Sequence, residues 1–353
     1  MAAFAYYRLP YKQDYTFIRQ EDEPEELHSI EELNGKSGFV FAPFMPSEEC
    51  PILLMHPDTV ETCPCKEEKN VTIPNCHLHH YDNPHERSIY AKDFNCFHEQ
   101  IKLGKFQKLV LARHEEIRMG STYQEQMEAL FKKACKMYPR LYIALVSTPP
   151  SGTWLMATPE ILLSGIRQEM RTMALAGTQT APPSAIVSDV PQEGVSWSKK
   201  NLEEQQCVAD YIEEVITSFT DSCSKKGPYT TMAAQLYHLR TDFHFRLKDT
   251  KHLGDVLAKL YPTPAVCGMP KEAARHFIID KESINRKYYS GFVGCLQPHG
   301  ETQLYVSLRC MSLQKDGLFE LYAGGGLLAE SELQKEWEET EAKLATMKAV
   351  LFK

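Results

Sequence analysis

The chain has 353 residues, enough for one large domain or two smaller ones, and its 43% hydrophobic and 24% charged residues are ordinary for a globular protein. A formal net charge of -8 argues against a nucleic-acid partner, because an acidic chain has no basic stripe with which to bind phosphates. Residues 1–17 do not resemble a secretory signal, no apolar run approaches membrane-spanning length, and eleven scattered cysteines are typical of a reducing compartment, so we expect a cytoplasmic protein with no membrane partner.

Up to about residue 95 the pattern is irregular, with an acidic run at 21–32 and a short strand-like piece at 38–42. Beyond residue 106 the strands are predicted at 108–113, 141–147, 153–157, 161–164, 170–176, 289–295, 304–313 and 318–323. The helices are predicted at 123–138, 198–219, 253–260, 270–280 and 331–351, with a loop over 181–196. Strands that follow one another with few helices between them indicate an α+β fold with large, mostly antiparallel sheets and surrounding helices.

A carboxylate interrupts the apolar face of the long middle helix. The predicted apolar stripe is Val208, Tyr211, Val215 and Phe219, and Glu204 falls inside it. A core-facing carboxylate must be paired, protonated or bound to a metal, because an isolated buried charge costs roughly several kcal/mol. Alternatively, the first turn overhangs the core and Glu204 is solvated.

The last helix repeats this feature. Glu336, Glu339 and Lys343 lie together beside a stripe that contains Leu333, Trp337, Leu344, Met347 and Leu351. An acidic residue four positions before a lysine is also common on exposed helix surfaces. Two helices that each offer carboxylates beside a core stripe nevertheless provide the oxygen ligands that Mg²⁺ prefers.

Basic and glycine residues could bind an anion. On the predicted strand 304–311, Arg309 shares a polar face with Tyr305 and Ser307, and Lys108 begins an apolar strand where burial would favour its neutral form. Either side chain could instead extend from a strand end to solvent. The glycines at 324–326 would allow backbone N–H groups to approach an anion closely.

Taken in order, these residues resemble the chorismate-binding family, which includes isochorismate, salicylate, anthranilate and aminodeoxychorismate synthases. The resemblance covers about residues 106–353 and is most like isochorismate synthase. Its motifs are KLVLAR at 108–113, TPEILL at 158–163, LAGT at 175–178, KNLEEQ at 200–205, PTPAVCGMP at 262–270, YYSGFVG at 288–294, LRC at 308–310, AGGG at 323–326 and EWEETEAKL at 336–344. The family implies a single chorismate-binding unit over 1–353, with a variable part at 1–95 and a catalytic part at 96–353.

The resemblance also implies roles for particular residues. Lys108 matches the base that activates water for attack at C2 of chorismate, and Glu160 matches the acid that protonates the departing C4 hydroxyl. The matching magnesium ligands are Glu204, Glu336 and Glu339. The matching substrate-binding positions are Gly177, Thr178, His238, Ala265, Tyr289, Arg309, Gly324, Gly326 and Lys343.

Lys108 favours water over an amine as the nucleophile, so the resemblance implies no amidotransferase subunit, and we expect a monomer. Four positions depart from the family pattern, namely Ala174, Asn201, Gln205 and Tyr261. Asn201 replaces a common aspartate and leaves one outer contact of the metal site open.

Two rival functions remain at this stage. A salicylate synthase would form isochorismate and then eliminate pyruvate. A zinc-binding interaction module would use the cysteines and histidines between Cys63 and His80, although their spacing fits no familiar zinc pattern.

Overall fold

The computed structural model describes residues 2–65, 84–119, 126–182, 191–314 and 317–352. The strands in these residues are β1 (Ala3–Arg8), β2 (Asp14–Gln20), β3 (Glu25–Leu27), β4 (Gly38–Ala42), β5 (Ile52–Met55), β6 (Thr59–Pro64), β7 (Lys108–Arg118), β8 (Tyr142–Thr148), β9 (Gly152–Thr158), β10 (Ile161–Ile166), β11 (Glu169–Thr180), β12 (Cys223–Ala233), β13 (Leu236–Arg246), β14 (Gly268–Met269), β15 (Phe292–Leu296), β16 (Glu301–Val306), β17 (Cys310–Leu313) and β18 (Leu318–Leu327). The helices are α1 (Pro84–Lys102), α2 (Met127–Met137), α3 (Lys199–Thr217), α4 (Leu253–Leu260), α5 (Lys271–Lys281) and α6 (Leu333–Phe352), together with a 3₁₀ turn at Ile30–Leu33.

The described strands form two antiparallel sheets of nine strands each. The first has the order β14-β7-β18-β17-β9-β8-β1-β2-β6, and the second has the order β12-β13-β11-β10-β16-β15-β4-β5-β3. The prediction of an α+β fold with large antiparallel sheets is therefore confirmed. None of the helices that the structure describes has the length and apolar character needed to cross a membrane.

The two sheets face each other across a buried aromatic layer, and helices cover their outer faces. Tyr142 of the first sheet stacks on Tyr305 of the second, with ring centroids 4.1 Å apart. Helices α3 and α4 pack on the outer face of the second sheet, and α2 and α6 pack on that of the first. This layering holds the ends of β7, β11 and β18 between α3 and α6.

The structure corrects several sequence predictions. The described residues before 95 are not irregular, since they supply β1 to β6 and the start of α1, and the β12–β13 hairpin was not predicted. The predicted strand 304–313 is two strands in different sheets, because the chain leaves β16 after Val306 and enters β17 at Cys310. The alternation that placed Tyr305, Ser307 and Arg309 on one face of one strand is therefore wrong.

The buried face of α3 also differs from the predicted stripe. Gln205, Ala209, Ile212 and Ile216 are buried together with Val208, whereas the other three predicted stripe residues are only partly buried. Glu204 still belongs to the buried set. Ser198 caps the helix by accepting a hydrogen bond from the backbone N–H of Asn201, as expected for a helix that begins near residue 198.

Candidate active site

One pocket gathers most of the residues selected from the sequence. It lies between β7, β11, β18 and the segment that precedes α5. The residues selected from the sequence that line it are Glu160, Gly177, Thr178, Glu204, His238, Ala265, Tyr289, Arg309, Gly324, Gly326 and Lys343. Lys108, Glu336 and Glu339 adjoin this lining through ion pairs and glycine contacts. The roles inferred for these residues remain predictions, but the fold brings all of them to one place.

Lys108 and Glu204 form a buried ion pair. Lys108 begins β7 and has no exposed surface, Glu204 is 7% exposed on α3, and Nζ lies 2.9 Å from Oε1. Burial raises the pKa of Glu204, but the ammonium groups of Lys108 and Lys200 lower it more, so the net shift is downward. The alternatives of a solvated Glu204 and a lysine that extends to solvent are therefore wrong.

Glu160 is a buried carboxyl at the turn between β9 and β10. It is 3% exposed, and burial raises its pKa from 4.5 to about 8 despite the opposing effects of Lys108, Lys343 and Arg309. The backbone N–H of Val306 donates to the Glu160 carbonyl and fixes this turn against β16. A carboxyl with this pKa is protonated at neutral pH and can donate a proton.

Two carboxylates of α6 pair with lysines, one from α3 and one from α6 itself. Glu336 is 2% exposed and pairs with Lys200 of α3. Lys343 Nζ lies 2.7 Å from Glu339 Oε1 and donates to the Gly324 carbonyl at 2.8 Å. Burial and the neighbouring Glu339 raise the pKa of Glu336 to about 7, although Lys200 acts against them.

The glycines of β18 leave room for these side chains. A Cβ atom on Gly326 would lie 2.1 Å from Glu204 Oε1, and one on Gly324 would lie 2.8 Å from the Tyr289 hydroxyl. A Cβ on Gly325 would be 3.4 Å from Glu336 Oε2 and 3.5 Å from Glu339 Oε1. The absence of side chains on these glycines therefore lets the glutamate and tyrosine side chains lie against β18. The sequence had suggested only that backbone N–H groups could approach an anion here.

The donor set has the chemistry of a divalent-cation site. The oxygens are carboxylates, which Mg²⁺ prefers, and Glu336 Oε2 is buried without a hydrogen-bond partner among the described residues. In the residues described, no three His, Cys, Asp or Glu side chains converge closely enough to hold a metal, and each of the three glutamates is paired with a lysine. The residue types fit a divalent cation, and in this structure lysine ammonium groups pair with the carboxylates.

Arg309 presents a guanidinium to the other end of the pocket. Its backbone has a φ of 46°, which is uncommon for a residue with a side chain and lies where the chain crosses between the sheets. Nη2 contacts His238 Nε2 at 3.0 Å, and His238 Nδ1 contacts the Gly177 carbonyl at 3.1 Å. Burial and Arg309 lower the pKa of His238 well below its usual value, so a neutral histidine that donates to the carbonyl accepts from the guanidinium.

A second guanidinium nitrogen of Arg309, Nη1, is available to a ligand. Nη1 is buried and has no hydrogen-bond partner among the described residues. Gly177 has a φ of 69° and lies where the register of β11 against β13 shifts, which brings its carbonyl to His238. A buried donor next to a neutral histidine is suited to a carboxylate, since an anion would supply the missing acceptor.

Glu282 and Arg286 were not selected from the sequence. Arg286 donates to the carbonyls of Val110 and Val266, both at 2.8 Å, and Glu282 accepts from the backbone N–H of Ala112 at 2.7 Å. Val110 and Val266 line the pocket, so this buried pair joins two of its walls. Opposite charges four residues apart are common on protein surfaces, so only tertiary contacts reveal that this pair is buried.

Two of the departures from the family pattern have structural roles. Gln205 Oε1 accepts from the backbone N–H of Ala176, and its Nε2 donates to Thr241, which fixes α3 on the second sheet. The hydroxyl of Tyr261 donates to the Ser290 carbonyl at 2.7 Å. Of the proposed zinc ligands, Cys63 and Cys65 are free thiols at the end of β6, and residues 76–80 lie outside the described residues.

The buried lysine, acid and arginine define an enzyme pocket for an anionic substrate, and comparison with known proteins identifies its family. A family model described as "Chorismate binding enzyme" matches residues 54–352. The chain belongs to the chorismate-binding enzyme family.

Similar proteins of this family carry isochorismate synthase names. The chain is 28% identical to isochorismate synthase DhbC of Bacillus subtilis over 77% of its own length and 69% of that protein. It is 30% identical to putative isochorismate synthase MenF of Mycobacterium tuberculosis over 70% of this chain and 68% of that one. It spans 61% of isochorismate synthase EntC of Escherichia coli, at 27% identity over 68% of this chain.

Solved structures show the same fold. A putative 2,3-dihydroxybenzoate-specific isochorismate synthase, DhbC from Bacillus anthracis, superposes with a TM-score of 0.80 over 99% of this chain and 96% of that one, at 22% identity. The menaquinone-specific isochorismate synthase MenF of Escherichia coli gives a TM-score of 0.79 over 99% and 88%, at 20% identity. At these identities the superpositions establish the fold.

Proposed function

We propose that this protein is an isochorismate synthase, which converts chorismate reversibly to isochorismate. The observation that carries the proposal is a pocket lined by a buried carboxyl, Glu160, whose pKa is about 8, with a buried lysine, Lys108, beside it. Addition of water at C2 and loss of the C4 hydroxyl require a base and an acid in the same site. The isochorismate synthase names of the similar proteins support the same reaction.

Each catalytic side chain moves one proton. Lys108 first releases to solvent the proton that it holds in the ion pair with Glu204 and then takes a proton from the water that attacks C2. Glu160 gives its proton to the C4 hydroxyl, which leaves as water. Water is consumed at one carbon and released at the other, so the product is an isomer of the substrate. Glu204, at 2.9 Å from Nζ, stabilises the ammonium that forms on Lys108.

The substrate's two carboxylates are bound at opposite ends of the pocket. Arg309, with its unpartnered Nη1, binds the pyruvyl carboxylate, and His238 holds the guanidinium in place. Glu204, Glu336 and Glu339 would hold Mg²⁺, which when bound would fix the ring carboxylate and offset its charge. Thr178, Tyr289, Gly324 and Lys343 complete the substrate-binding wall.

The remaining expectations are part of the same proposal. Water as the nucleophile requires no amidotransferase subunit, and the enzyme is proposed to act as a monomer. The ten cysteines in the described part of the chain are free thiols, which supports a reducing cytoplasmic location.

A salicylate synthase is the second candidate, and Ala265 is the residue that separates it from the first. Ala265 lines the pocket beside Val266. In the family, isochorismate-forming relatives tend to carry alanine here and salicylate-forming relatives threonine. A methyl group leaves the pyruvyl group without the contact that would favour its elimination, so isochorismate should leave intact.

The test is a product assay with chorismate and Mg²⁺, in which isochorismate, salicylate and pyruvate are measured separately. Wild type should reach an equilibrium of chorismate and isochorismate with little pyruvate, and Ala265→Thr should release more pyruvate. Ala265→Ser is the matched control, because it adds a hydroxyl without the threonine methyl. Pyruvate released in step with chorismate loss by the wild type would refute the isomerase and leave the salicylate synthase in its place.

A further inference from the structure

Lys200 lies among the carboxylates proposed to hold the metal. It belongs to the first turn of α3, and its Nζ donates to Glu336 Oε1. Burial lowers the pKa of Lys200, but Glu336, Glu204 and Glu339 raise it more, so all three carboxylates act on this one ammonium. The family resemblance did not select Lys200, which appeared only as the first residue of a motif.

The three lysines at this site are held differently. Lys108 has no exposed surface and is built into the start of β7. Lys343 donates to the Gly324 carbonyl as well as to Glu339, so its position does not depend on the carboxylate alone. The Lys200 side chain is 18% exposed and lies at a helix end, so its ammonium has a route to solvent.

A divalent cation and the Lys200 ammonium would compete for one location. Glu336 accepts from Lys200 through Oε1, while its Oε2 is buried without a partner in the described part of the chain. A cation bound by Glu336 and Glu339 would lie close to the Lys200 ammonium, and two positive charges at that separation repel each other strongly in a buried site. A metal bound there would therefore require the lysine to withdraw.

We propose that the Lys200 ammonium takes the place of a divalent cation among these carboxylates when no metal is bound. It neutralises their charge and lowers the affinity for divalent metal until the metal displaces it. This inference rests on the proposed function, because it takes Glu204, Glu336 and Glu339 as the metal ligands. If the Lys200–Glu336 pair is formed in about nine molecules of ten, the apparent dissociation constant for metal is raised about tenfold.

The test measures metal binding directly, without substrate. Free Mn²⁺ is followed by electron paramagnetic resonance during titration of wild type, Lys200→Met, Lys200→Arg and Lys199→Met, all in the same buffer and at the same pH. Lys199 is the matched control, because it is the adjacent lysine, is 84% exposed and pairs with Glu203 on the surface.

Lys200→Met should bind Mn²⁺ about tenfold or more tightly than wild type, while Lys199→Met should match wild type and Lys200→Arg should keep the weaker affinity. Equal or weaker binding by Lys200→Met, or no binding by any variant, would overturn the proposal. A merely structural Lys200 would instead give weaker binding in Lys200→Met and rescue by arginine. The proposed function is tested separately, because chorismate turnover by wild type does not enter the Mn²⁺ titration.

Discussion

Glu160 offers a test of the acid role that does not depend on turnover. Its pKa is raised from 4.5 to about 8 by burial, so between these values the folded protein binds a proton that the unfolded chain has released. The free energy of unfolding therefore falls as pH rises through this window, by about 1.4 kcal/mol for each pH unit. Glutamine has nearly the same shape and does not titrate.

The expected result is a pH-dependent gain in stability for Glu160→Gln. Between about pH 5.5 and about pH 8 the stability of the variant relative to wild type should rise by about 3 kcal/mol. The difference between the two proteins is informative because other titrating groups affect both equally. Urea unfolding at a series of pH values, followed by tryptophan fluorescence and circular dichroism, measures it.

Glu330→Gln is the matched control, since Glu330 is exposed and does not line the pocket. The same Glu160→Gln protein should lose chorismate turnover, because an amide cannot protonate the C4 hydroxyl. A stability difference that stays constant within about 0.5 kcal/mol over this pH range would show that Glu160 ionises normally, and the acid role would then lose its physical basis.

Two further predictions concern Lys108 and the proposed metal ligands. Lys108→Ala should abolish isochorismate formation with the fold retained, but it leaves the Glu204 carboxylate without its partner, so stability should fall by about 3 kcal/mol and recover in Lys108→Ala with Glu204→Gln. Turnover and thermal melting measured together check this, and activity within a few-fold of wild type would remove Lys108 from the mechanism. Glu204→Gln, Glu336→Gln and Glu339→Gln should each raise the Mg²⁺ concentration required for half-maximal rate, since an amide is a poorer ligand for a hard cation. An unchanged midpoint in all three would contradict the metal assignment.

The sequence predicted those elements whose pattern is local. The predicted strand 38–42 and helix 253–260 have the same bounds as β4 and α4. A short apolar run and a short amphipathic helix can be recognised from the sequence without tertiary context. The prediction of a single strand over 304–313 was wrong because the alternation of apolar residues continues through the point where the chain passes from one sheet to the other. Arg309, with its φ of 46°, lies at that point. The β12–β13 hairpin was missed because exposed polar residues occupy much of β12.

The site residues were predicted mainly by resemblance to the family, whereas their burial and ion pairing are seen only in the structure. Helical spacing indicated that Glu204, Glu336 and Glu339 were unusual, but it left a solvated surface open as an alternative. Only the fold shows that Glu204 and Glu336 are buried and that each is paired with a lysine from another element. The Lys200 contact joins α3 to α6 across 136 positions of sequence, so no local pattern could reveal it.

The balance of charge suggests why metal and substrate should bind together. In the pocket three lysines pair with three glutamates, while Glu160 is protonated at neutral pH and Arg309 holds a free donor. A dication alone would add two positive charges to a buried site, and a substrate with two carboxylates alone would add two negative ones. Both together leave the balance unchanged. Each ligand should therefore raise the affinity for the other by the same factor, as thermodynamic linkage requires.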